Sequence, residues 1–425
     1  MRVLVVGAGG FLGARIAAAL RERGHEVLPC GRDAAALRRR FPGASPVIAE
    51  LARDGAAAWL PRLAGVEAVV NAAGALDGPL EALHGSGPAA LFEACAQAGI
   101  AHLVQVSALG AAAGETRFLR TKRVADDRLL ALRQQEKRQG WCVLRPSLVI
   151  GRGGYSTGLF SALAALPVPL HLGPGEWRVQ PIHVSDFARA VAELLEAPAV
   201  PPLLDLVGPE AMSTDALTAA LRGWLGLPPR RPVAVPAALL RLGARLGGRL
   251  PGAPLTPETL AMLARGNVAD PAPARAALGW APRPLAEALA AEPSAPSDLV
   301  HARSFAIRPL LRLALATVWI GTAVVTVFVA PRAVSDALVA GLGLHGAAGL
   351  VAIYGGAALD AALGGAVLAL PRWTAAVCLA QLAVTLGFTV LASLAAPAAW
   401  ADPFGPLLKN AAMLGAILAL YATRE

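Results

Sequence analysis

The chain has 425 residues, of which 56% are hydrophobic and only 16% charged, with a formal net charge of +9. That length accommodates two or three domains, and a mean hydropathy of +0.54 excludes an ordinary soluble enzyme, in which about a quarter of residues are charged. Cys30, Cys95, Cys142 and Cys378 form no CxxC pair and have no histidine cluster beside them, so neither a disulfide framework nor a metal site is expected.

In chain order, Arg2 precedes a short apolar run that ends in glycines and is followed by Arg15, Arg21, Glu22 and Arg23. This reads as a strand entering a helix rather than a secretion signal. Strands are predicted at residues 2–6, 26–29, 45–50, 68–72, 103–107, 141–146 and 203–207, with helices at 11–23, 34–40, 55–63, 88–98, 117–139 and 156–166. Strict alternation of apolar strands with helices predicts an α/β fold, a parallel sheet with helices on both faces. From about Leu206 the pattern becomes mostly helical with Pro-rich joints, a small lobe over 206–290 that completes a domain spanning 1–290. Within it, Arg241, Arg245 and Arg249 run beside Leu239, Leu242, Leu246 and Leu250. On a helix this is a basic stripe next to an apolar one, suited to an anionic membrane surface or to solvent.

Residues 291–304 read as a linker by their Pro, Ser and Ala content. Residues 305–425 then hold four apolar stretches, 310–330, 348–370, 374–396 and 406–421, predicting a four-helix transmembrane bundle. The first three have the about 20 residues that cross a bilayer; the alternative is a set of core helices in a large soluble protein. Arg303, Arg308, Arg312, Arg372 and Arg424 fall on one side, against Arg332, Asp336 and Asp402 on the other. The bias predicts a multi-pass protein of the cell inner membrane with its N-terminal domain in the cytoplasm. The lipid bilayer is then the first partner, and the basic charge brings no nucleic-acid motif with it.

The strongest chemical signal is Gly7-Ala8-Gly9-Gly10-Phe11-Leu12-Gly13, between the first strand and the first helix. Gly7 permits the turn, Gly9 and Gly10 allow the backbone to approach a pyrophosphate, and Gly13 allows the helix to pack on the sheet. The phosphates would sit on the free N–H groups at the helix start, around Phe11 and Leu12. Cys30-Gly31-Arg32-Asp33 ends the second strand. Arg32 is placed to pair with a 2′-phosphate, which favours NADP(H); Asp33 keeps NAD(H) open, and Arg32 as a solvated charge is the plain alternative.

The Gly7, Gly10, Gly13 spacing resembles that of the extended and atypical short-chain dehydrogenases/reductases, the group that includes the NAD-dependent epimerase/dehydratases. Asn71-Ala72-Ala73-Gly74, Ser107, the Arg145-Pro146 segment, His183-Val184-Ser185-Asp186, Gly266-Asn267, Asp270 and Leu278-Gly279-Trp280 agree with that resemblance over residues 1 to about 290. It implies cofactor contacts at Asn71, Ala72, Ala73, Gly74, Lys122 and Pro146, and an acidic residue near the adenine at Glu50. The resemblance also implies a catalytic Tyr four residues before a Lys. Here Lys122 stands in place but Phe118 occupies the tyrosine position, and a phenyl ring neither donates nor accepts a proton. Three readings follow: cofactor binding without turnover, reduction of a quinone-like or flavin-like acceptor, or an acid supplied by Ser107, Tyr155, His183 or Lys122 itself. A cofactor-holding member without the tyrosine is similar to the reductase-like accessory subunit of respiratory complex I.

Asp402-Pro403-Phe404-Gly405-Pro406-Leu407-Leu408-Lys409-Asn410, with four short Gly/Ala-rich helices, resembles DoxX-like membrane domains over about 305–425. That resemblance implies a membrane redox complex and a quinone partner. Asp360 lies mid-stretch, where a carboxylate is costly unless paired or facing the bundle interior. Asp360, Lys409 and Asn410 could line a polar pocket; alternatively Lys409 snorkels and Asp360 is protonated and structural. Gly355, Gly356, Gly364 and Gly365 read as close-packing positions.

Overall fold

The computed structural model describes residues 1–173, 177–249, 255–305, 307–403 and 405–423. Leu250, Phe404 and Arg424, which figure in the basic stripe, the motif opening the last helix and the charge bias, lie outside the described residues. The chain divides into two compact units: residues 1–245 with 254–302, and residues 246–253 with 303–425.

In the first unit β1 (Arg2–Val6), β2 (Glu26–Gly31), β3 (Val47–Ile48), β4 (Ala68–Asn71), β5 (His102–Val106) and β6 (Gly140–Pro146) join a last strand, Leu203–Leu206. They form one seven-stranded sheet in the order β3-β2-β1-β4-β5-β6 followed by Leu203–Leu206, with every pair parallel. The β3 stretch shortens to two residues because only Cys30 and Gly31 pair with it.

Alternation along β1 sorts its side chains to two cores. Val3 and Val5 pack with Ile16, Ala17, Leu20, Phe187 and Val191. Leu4 and Val6 pack with Trp59, Phe92, Ala125 and Leu129. The sheet is thus covered on both faces, by α1 (Phe11–Glu22) on one and by α3 (Ala56–Trp59), α4 (Gly87–Gln97) and α5 (Arg117–Gln135) on the other, while α2 (Ala34–Arg40) follows β2. After α6 (Tyr155–Ala165), α7 (Val184–Glu196) joins the α1 face through Phe187, Val191 and Leu195. No helix was expected at α7 from the sequence pattern. The strand order reverses between β1 and β4, and the loops leaving these two strands open a crevice at their carboxyl ends, where such sheets bind ligands.

The lobe gathers Phe160, Leu172, Leu217, Leu221, Leu285 and Leu289 into a third core. In the helix Ala237–Gly247, Leu240 and Ala244 are buried while Leu239, Leu242 and Leu246 are more than half exposed, at 58%, 52% and 51%. Residues expected as a linker are ordered: Pro296–Ser304 is helical, and Asp298 accepts from Arg152 at 2.9 Å.

The second unit holds the helices Ile307–Val324, Arg332–Ala340, Gly346–Ala369, Thr374–Ala395 and Lys409–Ala422. Among the described residues three stretches, Pro296–Val329, Gly346–Ala369 and Pro371–Ala395, are long and apolar enough to cross a membrane, and Lys409–Ala422 is a shorter apolar helix. Apolar side chains point outward, with Phe328 81% and Val351 72% exposed, whereas Asp360, Thr374, Gln381 and Thr385 are buried. That arrangement inverts a soluble domain and suits a surface facing hydrocarbon. Gly364 is a packing position: a Cβ there would lie 2.6 Å from Ile320 Cγ1 and 3.0 Å from Trp319 Cβ.

Candidate active site

The loop leaving β1 is held at both ends. Gly7 and Ala8 donate to the carbonyl of Cys30 at 3.0 and 3.2 Å, and Gly10 donates to Gly7 O at 2.9 Å. Gly7 has φ +81°, and a Cβ on it would meet the Ala73 backbone at 2.8 Å. A Cβ on Gly13 would sit 2.2 Å from Gly7 O, so α1 can approach the loop only with glycine there. Gly9 and Gly10 are exposed. At the start of α1 the N–H groups of Phe11, Leu12 and Gly13 have no acceptor one turn earlier in the helix. This is a cradle of donors at the positive end of a helix dipole. Phe11 closes one wall, since a Cβ on Gly154 would lie 2.8 Å from its Cζ.

Arg32 is exposed beside this cradle. Arg40, which the sequence reading did not single out, donates through Nη1 to Gly9 O at 3.1 Å. Asp33 is occupied as the cap of α2, accepting from Ala36 N at 2.9 Å. Glu50 is paired with Arg53 at 3.2 Å. Across the switch point, Asn71 is fully buried. It donates to Gln105 Oε1 at 2.7 Å and accepts from Ala73 N at 3.2 Å, which fixes the turn through Ala72, Ala73 and Gly74. Pro146 ends β6 and its carbonyl accepts from Leu109 N at 2.9 Å.

At the reacting end, Lys122 is 4% exposed. Its Nζ donates to Val106 O at 3.1 Å and Ala73 O at 3.4 Å. Burial lowers the ammonium to about 8, against an upward pull from Asp126. Phe118 lies beside Lys122, with Lys122 Nζ 6.0 Å from its ring centroid. The ring meets His84 edge-on at 5.2 Å, and Phe118 N donates to Glu258 Oε1 at 2.6 Å.

His84 and Asp126 are additions that the sequence reading lacked. His84 Nε2 accepts from Ala75 N at 3.2 Å, so its proton sits on Nδ1, facing Thr121 Oγ1 at 3.2 Å. Burial, followed by the charge of Lys122, lowers this imidazole to about 3, and it is therefore neutral. Ser107 donates to Asp126 Oδ2 at 2.8 Å, and Arg145 Nε donates to the same oxygen at 2.9 Å. Burial pushes the Asp126 carboxyl up against the opposing pull of Arg145.

Of the other acid candidates, His183 is buried and engaged with Ser185 Oγ at 2.7 Å, and burial lowers it. Asp186 of the same segment pairs with Arg283 at 2.6 Å, a role in holding the lobe. Tyr155 is 38% exposed, and burial of its hydroxyl, followed by Asp77, pushes the phenol up to about 12. The arrangement thus gathers Ser107, Phe118 and Lys122 with the Asn71–Gly74 turn. Ser107 is committed to Asp126, and Lys122, lowered to about 8 by its burial, carries a dissociable proton beside the turn.

The residues present fit a nicotinamide dinucleotide, because the Gly7–Gly13 cradle is open at the positions that added Cβ atoms would close. Residues 3–203 match the NAD dependent epimerase/dehydratase family, and residues 316–418 match the DoxX-like family. The chain joins an epimerase/dehydratase-type domain to a DoxX-like one. The fold of the first is similar to UDP-glucose 4-epimerase of Thermus thermophilus, at 21% identity and TM-score 0.53 over 71% of this chain and 99% of that one. It is also similar to UDP-glucose 4-epimerase of Thermotoga maritima, at 18% identity and TM-score 0.51 over 68% and 96%. No curated protein matches the chain. The DoxX-like domain and its long apolar helices mark a membrane protein.

In the membrane unit Asp360 is buried, and Asn410 Nδ2 donates to Thr389 Oγ1 at 2.8 Å. Lys409 is exposed at the start of its helix, and Asp360 Oδ1 has no hydrogen-bond partner among the described residues.

Proposed function

We propose that the chain is a membrane-anchored oxidoreductase that binds NADP(H) on the Gly7–Gly13 cradle and serves an acceptor needing no tyrosine acid, such as a quinone-like ring. The observation that carries the reading is the fit of Gly13 beneath Gly7, which leaves the donors of α1 free for a pyrophosphate. Arg32 and Arg40, exposed at the end of the cradle, support a 2′-phosphate and hence NADP(H) over NAD(H). The bound nicotinamide would supply the hydride. Lys122 holds the ribose end and a proton; Ser107, tied to Asp126, orders the carboxyl ends of β5 and β6 rather than the acceptor. The arginine bias supports an inner-membrane location with this domain cytoplasmic and in reach of a membrane redox complex.

The test is an NADPH and NADH fluorescence titration of the purified chain in detergent, then turnover with a soluble quinone and a carbonyl panel. Binding with quinone reduction is the expected result; absence of binding to either nucleotide overturns the reading. Phe118 favours a second reading, an NADP(H)-binding assembly or sensor protein without turnover. Binding with no turnover on any acceptor would select it.

A further inference from the structure

The core of the second unit contains buried polar atoms that no described residue satisfies. Trp319 Nε1, Asp360 Oδ1, Gln381 Oε1 and Thr385 Oγ1 all lack a hydrogen-bond partner. Their residues are 3%, 6%, 0% and 4% exposed. Unmet groups of this kind are rare in folded proteins, and each calls for a reason.

They converge. Gln381 Nε2 donates to Leu363 O at 3.3 Å, which fixes the register of Thr374–Ala395 against Gly346–Ala369. The two helices are joined by the short turn Pro371–Trp373 and run antiparallel. One turn further along, Thr385 therefore reaches the level of Asp360. Gly364, one turn from Asp360, lies against Trp319. Thr389 and Ser393 continue the face of Thr385 at four-residue spacing. Thr389 accepts from Asn410 Nδ2 at 2.8 Å, and Ser393 accepts from Trp400 Nε1 at 3.0 Å. From Gln381 to Ser393 the seam spans about 18 Å of helix.

The set mixes donors and acceptors: an indole N–H and a hydroxyl, together with a carboxyl and an amide oxygen. A metal cation would want acceptors alone and an anion donors alone; water both donates and accepts. We propose that the bundle carries a proton-exchange site, in which Asp360 takes up and releases a proton through water along the seam of Thr385, Thr389, Asn410 and Ser393. The step is a plain transfer: hydronium gives its proton to the Asp360 carboxylate, leaving water and a carboxylic acid, and the reverse restores both. An ionisable group at this depth marks proton and ion paths in membrane proteins. Charged residues on neighbouring elements sit elsewhere: Arg312 donates to Thr374 Oγ1 at 2.8 Å, and Arg332 pairs with Asp336 at 3.5 Å. Arg372 and Lys409 are exposed.

The test places the purified full chain in liposomes with an entrapped pH dye and imposes a potassium diffusion potential. Acidification faster than in empty liposomes is expected. Asp360→Asn should fall to the empty-liposome leak, Asp360→Glu should retain flux, Thr389→Val should slow it, and Lys409→Met should match the parent. A parallel carbodiimide labelling of the detergent-solubilised chain should modify Asp360, and less so as pH rises. Parent flux equal to empty liposomes, Asp360→Asn flux equal to the parent, or an Asp360 that stays unlabelled at every pH each overturns the proposal. None of these readouts involves the nicotinamide nucleotide.

Discussion

Asp126 and Asp360 are both buried carboxyls on long helices, 0% and 6% exposed, yet only one is paired. Asp126 accepts from Ser107 and Arg145 on Oδ2 at 2.8 and 2.9 Å, with its Oδ1 left unpartnered, whereas Asp360 has no cation paired with it among the described residues and its Oδ1 meets no partner. A buried pair resists removal of either member, because the survivor is left as an unpaired charge. An unpaired carboxyl has no such hold on the fold, and its replacement relieves a desolvation cost. The first unit uses its buried acid for architecture; the second keeps one that its packing does not need.

The comparison makes opposite predictions for the two positions. Asp126→Ala should destabilise the chain by about 3–5 kcal/mol, the cost of leaving a charge such as Arg145 buried alone. Thermal denaturation in detergent would read this as a large fall in the first unit's transition. An unchanged transition would mean that Arg145 finds water instead. Asp360→Leu should have the reverse sign and raise stability by roughly 1 kcal/mol. A marked loss there would reveal a partner that the bundle supplies, and the contrast between the two acids would collapse.

Lys122 provides a subtler version. Its folded value of about 8 lies below the ordinary 10.5, chiefly through burial. As pH falls from 10.5, the unfolded chain binds this proton first, so the fold loses stability down to about 8 and keeps that deficit below it. Stability should therefore rise with pH across that window, and Lys122→Met should flatten the slope. An identical slope in the variant would assign the titration to another group. The same deprotonation should weaken NADPH binding as pH rises through about 8, since the positive charge beside the turn at Ala73 is lost there.

The sheet was legible because each strand is a short apolar run bounded by glycine or a helix, a pattern that burial on both faces imposes. The Gly7–Gly13 loop was legible because its glycines answer to backbone contacts that sequence spacing reflects. Asp126 had a usable signal, four residues beyond Lys122 on one helix face. His84 had none: it reaches Thr121 from the π-helical turn Ala82–Ser86, which no periodicity announces. Glu258 meets Phe118 N across 140 residues of chain, a contact set by how the lobe docks within its own unit. Gln381, Thr385 and Thr389 do follow helical spacing, but an apolar stretch hides its polar face until the neighbouring helices are known.

Lys409 is where the smallest effect is expected, and its smallness carries meaning. It begins the helix Lys409–Ala422 and is exposed, while the next residue, Asn410, donates inward to Thr389. Neighbouring positions on a helix are about 100° apart, so one faces the seam and the other faces away. Lys409→Met should change stability by less than about 0.5 kcal/mol, as for an exposed surface site. Asn410→Leu should cost about 1 kcal/mol for the lost hydrogen bond to Thr389. Should the two variants prove equally costly in thermal denaturation, Lys409 would have to turn into the bundle, and the division between an outward lysine and an inward polar seam would fail.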